Sequence, residues 1–189
     1  AVFDSEIFLP PSHSGENRVK LSGFFPFPGN NQLIELILKS GYYIEREKLR
    51  PLQTKYTANP NKKIVIEARH LKLKPSLFPQ IYTYDGSGNK ILIYSLAHSN
   101  FSEISKKGYA HYLTNLSSIK IKEEKAFYCP AVELSGTKKT DIVINREDYL
   151  KLFSSPISLK SLSEGNLYII ISNNTFVKKE KPKREPAFR

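Results

Sequence analysis

The sequence predicts a mainly β domain with inserted helices, of about eight strands and two or three short helices. Three observations predict it. Short apolar-rich runs recur between Pro, Gly and Asn breakers along most of the chain. These runs do not alternate with helical segments as βαβ units would, so their spacing is that of an antiparallel barrel or sandwich. The 189 residues, 40% hydrophobic and 12% aromatic, suffice for one full-sized core. No internal repeat is seen. The domain is expected over 1–177, and 178–189 reads as a basic linker or disordered tail with two prolines and no apolar period.

In order, Val2–Leu9 reads as a strand ended by Pro10-Pro11, and Arg18–Phe27 as a second. The turn Pro28-Gly29-Asn30-Asn31 caps a helix over Gln32–Lys39, whose apolar positions 33, 34, 37 and 38 share a face, and Gly41 stops it. Residues Glu45–Pro60 are polar and unpatterned, a loop or short irregular strands. Lys62–Leu73 reads as a strand, and Ile81–Asp85 with Lys90–Leu96 as a hairpin across Gly86-Ser87-Gly88-Asn89. A helix is expected over Phe101–Leu116, capped by Ser102. Strands follow at Ser118–Lys122, Ala126–Leu134 and Thr140–Ile144, then a short helix capped by Asn145 and running to Phe153. Leu167–Ile171 and Thr175–Lys178 finish the strands.

Charge is concentrated in one place. Residues Arg46–Lys74 hold nine Lys/Arg against Glu47 and Glu67, a local +7 in a chain of +11. A surface shaped for solubility would intersperse its signs. One basic belt beside a near-neutral body is the footprint of a polyanion-binding protein, since each phosphate neutralised releases counterion.

Other classes find little support. Lone Cys129 and four scattered His offer no disulfide and no Cys/His metal cluster, and no cofactor is expected. No apolar run approaches the roughly 18 residues of a membrane span and no signal-peptide pattern opens the sequence, so no membrane partner and a reducing, cytoplasmic compartment are expected. A Mg²⁺-dependent nuclease would want an acid and a Glu-x-Lys on neighbouring strands. The nearest text is Glu67-Ala68-Arg69, where Arg cannot act as a base; Glu133 and Asp141 are the alternative acids. Ser12-His13-Ser14 lacks an orienting acid and an oxyanion hole. Asp85-Gly86-Ser87-Gly88-Asn89 has no helix behind it, so it reads as a hairpin turn and not a phosphate cradle.

Two segments read as recognition elements. Ser12, His13, Ser14, Asn17, Arg18 and Lys20 form a polar loop feeding a strand, with groups that bond phosphates and base edges. Asn61, Lys62 and Lys63 lead into a strand on which Ile64, Ile66 and Ala68 face one way and Lys63, Val65, Glu67 and Arg69 the other, followed by His70 and Lys72.

The order of these segments resembles a family. Phe8-Leu9-Pro10-Pro11-Ser12-His13-Ser14-Gly15 … Leu21-Ser22-Gly23-Phe24-Phe25-Pro26 is similar to the N-terminal arm of EcoRII-type restriction-enzyme recognition domains. Asn61 … Glu67-Ala68-Arg69-His70-Leu71 is similar to their second arm, and Phe78-Pro79-Gln80-Ile81 … Gly88-Asn89-Lys90-Ile91-Leu92-Ile93-Tyr94 to their hairpin. The resemblance covers roughly residues 5–96. It departs at Glu16-Asn17-Arg18, where the family has a Gly/Thr-rich run, and at His70, where it has a β-branched residue. It implies a seven- to eight-stranded pseudobarrel like that of plant B-three domains, with two arms embracing the major groove. It also implies a target-recognition module for double-stranded DNA, without chemistry of its own, serving a motor or nuclease domain or subunit of a restriction system. Lys62, Lys63 and Lys72 would then hold phosphates, while His13, Asn17, Arg18 and Arg69 reach bases. The alternatives are an RNA- or single-strand-binding β-barrel, which would want exposed aromatics along the basic groove where only Tyr56 lies in the belt, or the nuclease through Glu133 and Asp141.

Overall fold

The structure, a computed structural model, describes residues 2–8, 18–24, 45–57, 59–115 and 125–172. The fold is mainly β with inserted helices. Strands β1 (Val2–Phe8) and β2 (Arg18–Phe24) pair antiparallel as a two-stranded sheet of their own, with Phe8 opposite Arg18 and Glu6 opposite Lys20. The expected helix at Gln32–Lys39 and the strands at Ser118–Lys122 and Thr175–Lys178 lie outside the described residues.

The remaining strands make one seven-stranded sheet. They are β3 (Lys63–Glu67), β4 (Ile81–Tyr84), β5 (Lys90–Tyr94), β6 (His111–Leu113), β7 (Ala126–Ser135), β8 (Asp141–Ile144) and β9 (Leu167–Ile170). Their order across the sheet is β5-β4-β8-β7-β3-β9-β6. Within this sheet the antiparallel pattern expected from strand spacing holds for β4–β5 and β7–β8, whereas β3–β7, β3–β9, β6–β9 and β4–β8 are parallel. The reason lies in β3, whose run Ile64-Val65-Ile66 is fully buried. A strand covered on both faces reads as continuously apolar, the mark of a parallel sheet interior.

Strand β7 is the corner of the sheet. Residues Ala126–Pro130 pair with β3, and from Ala131 onward the partner is β8. Pro130 sits at that change of partner and the register slips between Ala131 and Glu133. A proline has no N–H for the ladder, so it is tolerated where the strand bends from one partner to the next.

Three α-helices are found among the described residues: α1 (Phe101–Lys107), α2 (Arg146–Phe153) and α3 (Pro156–Ser163). Helix α1 is shorter than the expected Phe101–Leu116 because Gly108, at φ 97, ends it after Lys106 and Lys107, and its N-cap is Asn100 instead of Ser102. The segment beyond becomes β6. Helix α2 starts as expected: the Asn145 side chain accepts the Asp148 N–H at 2.8 Å. Helix α3 was not expected, though Ser155 caps it and Pro156 occupies its first turn.

The helices share one face of the sheet. Ile64, Ile66, Leu73, Ile81, Tyr94, Ile142 and Ile144 pack with Ile104, Leu152, Phe153, Leu159 and Leu162 in the main core. Each such side chain contributes roughly 1.5–3 kcal/mol. The opposite face carries a smaller cluster, Val65 and Ile170 with Leu113, Ala126 and Tyr168. The facing of Ile64, Ile66 and Ala68 against Val65 is thus as the alternation predicts.

Candidate nucleic-acid interface

The basic belt does not lie on one side of the molecule. Its first part is an extended strap over the helix-covered face. Glu47 N–H donates to the Ala97 carbonyl (3.0 Å) and Leu52 N–H to that of Phe153 (2.8 Å), while Leu49 and Leu52 rest on the main core. Along 52–57 inward and outward positions alternate, leaving Lys55 exposed, and Lys48 and Arg50 ahead of them are exposed too. The Arg46 guanidinium stacks 4.6 Å above Phe101, and Lys55 and Lys151 both lie over the Tyr56 ring at 5.6 and 5.5 Å. The second part enters β3 and presents Lys63 and Glu67 on the other face.

Asn61 closes the strap. It is 8% exposed; its backbone N–H donates to Ser158 Oγ (3.1 Å) and its side-chain amide to the Asn59 carbonyl (3.0 Å). It therefore joins strap to α3, and its side-chain amide is engaged within the fold.

On the opposite face Glu67 is gripped from two directions. Its carboxylate accepts from Arg69 Nε (2.8 Å), Nη2 (2.7 Å) and backbone N–H (3.0 Å), and from the Tyr128 hydroxyl (3.0 Å). Partial burial pushes the Glu67 carboxyl up, but the Arg69 bonds and then the Tyr128 hydroxyl outweigh this and hold it below its ordinary value. Arg69 is thus committed to a bidentate ion pair. A depressed folded pKa contributes stability that is present above the unfolded pKa and lost as pH falls through the folded one. Replacing Glu67 by Gln should therefore flatten the acid limb of the stability–pH curve below about pH 4.5, read by urea titrations at several pH values. An unaltered acid limb would refute the grip.

The register lines up rings beside this pair. Tyr128 of β7, Val65 of β3, Tyr168 of β9 and His111 of β6 stand in one row across four strands. His111 stacks on Tyr168 with centroids 5.0 Å apart, and Lys63 Nζ lies 6.0 Å from the same ring. Burial lowers the His111 pKa, which favours a neutral ring at neutral pH. No local pattern joins these rings, because they arrive from strands distant in sequence.

Of the other expected contacts, Ser12, His13, Ser14 and Asn17 lie outside the described residues. Arg18 and Lys20 are on β2. Lys62, His70 and Lys72 are exposed. The structure thus brings together Lys63, Glu67 and Arg69, with Tyr128 and Tyr168. Glu133 and Asp141 belong to separate networks. Glu133 is held below its ordinary value by Lys90 (2.6 Å) and by the Tyr84 hydroxyl (2.7 Å). Asp141 accepts the Gln80 N–H (3.1 Å), and burial pushes its carboxyl up. Among the described residues no three His, Cys, Asp or Glu side chains gather as a metal ion would need, and no helix is long and apolar enough to cross a membrane.

Residues 63–173 match the family model for the second domain of Treponema pallidum Tp0624. The chain belongs to that family. A comparison with curated proteins found no match. The Tp0624 second-domain match starts on the first residue of β3 and runs past β9, so it takes in the seven-stranded sheet and its three helices. Strands β1 and β2 and the strap precede it. The interface candidates therefore divide: Lys48, Arg50 and Lys55 lie ahead of the family domain, and Lys63, Glu67, Arg69 and Lys72 within it.

Proposed function

We propose that this chain is a binding domain for double-stranded DNA that holds the phosphate backbone without acting on it chemically. One observation carries the reading. Lys48, Arg50, Lys62, Lys72 and Lys74 are exposed and make no ion pair among the described residues, whereas Lys90, Lys106, Lys107, Lys151 and Lys160 each face a glutamate. Exposed charge left unneutralised on a chain of +11 is available to phosphates. The finer part of the proposal, a target-recognition module of a restriction system reading bases through two arms, is supported by the resemblance of residues 5–96 alone. For Arg69 to reach a base it must first leave Glu67.

A second reading, single-stranded nucleic acid, has the row Tyr128, Tyr168 and His111 in its favour, since aromatic rings on a sheet face stack on unpaired bases. Fluorescence anisotropy of labelled duplex and single strand of the same sequence, over a range of salt, separates the two. Duplex preference with an affinity that falls steeply with salt is the expected result. Single-strand preference would favour the ring row, and no salt-dependent binding of either would sink both. Selection from random duplexes then tests base reading; if a preferred site emerges, Arg69→Ala should cost about 1–3 kcal/mol at one base position only.

A further inference from the structure

The belt does not end at Lys74 in space. The Lys74 N–H donates to the Lys139 carbonyl at 3.1 Å, so the loop 70–76 lies against the turn 136–139 that joins β7 to β8. Lys72, Lys74, Lys138 and Lys139 are all exposed. Neither segment contains an acid. The acid that follows, Asp141, points its carboxylate at the Gln80 N–H and the Thr140 hydroxyl, and Glu133 is neutralised by Lys90. Lys72, Lys74 and Lys139 make no ion pair among the described residues. These three like charges on two adjoining loops, with Lys138 next to Lys139, repel one another, an arrangement that works against stability unless an anion joins them.

The corner is held from within. Leu73 is fully buried between the two outward lysines. The Tyr112 hydroxyl donates to the Ser76 carbonyl and accepts the Ser76 N–H, both at 3.0 Å. A second observation is independent of charge. Lys139 has φ 55, the only positive φ of a non-glycine residue among those described, and its N–H closes the turn onto the Gly136 carbonyl at 3.2 Å. Glycine or asparagine occupies that left-handed region with least strain. A turn shaped for stability alone would carry one of them there. The sequence instead places a lysine beside three others. Backbone strain accepted for a particular side chain points to a role for that side chain.

We propose that Lys72, Lys74, Lys138 and Lys139 form one phosphate-binding corner that anchors the sugar–phosphate backbone of a DNA duplex. The proposal rests on the DNA-binding reading above and adds the place where the backbone is gripped, inside the Tp0624 second-domain region and apart from the strap. Fixed ammonium groups on two braced loops replace condensed counterions at successive phosphates.

The test measures the affinity of a fluorescein-labelled duplex as a function of salt. It compares the unaltered chain with Lys72→Gln/Lys74→Gln, Lys138→Gln/Lys139→Gln, all four combined, and Lys139→Gly. The slope of log K against log salt should fall by about 0.9 for each phosphate no longer neutralised, hence by up to about 3.6 in the fourfold variant. Lys139→Gly should weaken binding while thermal stability holds or rises, because glycine relieves the turn. A residue with a purely structural role would not part those two readouts. If the unaltered chain binds duplex and the fourfold variant, folded by circular dichroism, keeps the same slope, the corner is overturned and the DNA-binding reading stands. If the unaltered chain shows no salt-dependent binding, both fall.

Discussion

Replacing Gly165 with alanine should lower stability by at least about 3 kcal/mol, enough to shift the melting midpoint of a domain this size by roughly 6–12 °C. Two causes add. Gly165 has φ +78, where an L side chain crowds its own backbone at about 1–2 kcal/mol. Its Cβ would also stand 2.2 Å from the Gly108 carbonyl oxygen and 3.2 Å from Ile104 Cγ2. The first of these approaches is to backbone, so no rotamer change relieves it; the α3–β9 turn or the end of α1 must move. Gly88 provides the control. It has φ +83 with nothing within 4 Å of where an alanine methyl would stand, so Gly88→Ala should show the conformational cost alone. Urea unfolding of both variants isolates the close approach as their difference. Equal losses would mean that α1 and the turn are not packed as described.

That same close approach shows why parts of the fold were legible and parts were not. Signals contained within a few residues could be read. Asp85 accepts the Ser87 and Asn89 N–H groups and forms the hairpin turn, and Asn145 caps α2. Gly108 carried such a signal and the expected helix over Phe101–Leu116 ran through it. Helix α3 also had its Ser155-Pro156 start, but its serines are weaker helix formers than the leucines between them. Ser158 and Ser161 are in fact buried, and the Ser158 hydroxyl donates to the Asn59 carbonyl. Asn61 shares that joint with Ser158, so its amide is spent on tertiary structure that no neighbouring residue announces. Pairings such as Lys63 with Ala126, or Ile64 with Leu167, join segments far apart along the chain. The candidate site follows the same rule. Local counting located the charge in 46–74, yet Lys72 and Lys74 find Lys138 and Lys139, and Glu67 finds Tyr128, only through the sheet.

Tyr109→Ala should cost about 3–5 kcal/mol, whereas Tyr109→Phe should cost about 1–3 kcal/mol. Tyr109 is 1% exposed. Its ring stacks on Tyr94 of β5 with centroids 5.2 Å apart and meets Phe78 edge-on at 5.5 Å. Its hydroxyl donates to the Pro79 carbonyl at 3.0 Å. Alanine removes a large ring from a close-packed site and leaves a cavity. Phenylalanine keeps the ring and strips one buried carbonyl of its donor, which costs only that group's desolvation. The two variants therefore rank ring packing against hydrogen bonding, and equal midpoints in urea at constant m would show that the ring carries nothing beyond its hydroxyl. The location gives the result a functional side. Tyr109 fixes Pro79 as Tyr112 fixes Ser76, so the pair braces the chain just beyond Lys72 and Lys74. Loosening that brace without touching a charge should leave the number of phosphate contacts, and hence the salt slope, unchanged while lowering affinity at every salt concentration. Lys→Gln changes should instead reduce the slope itself.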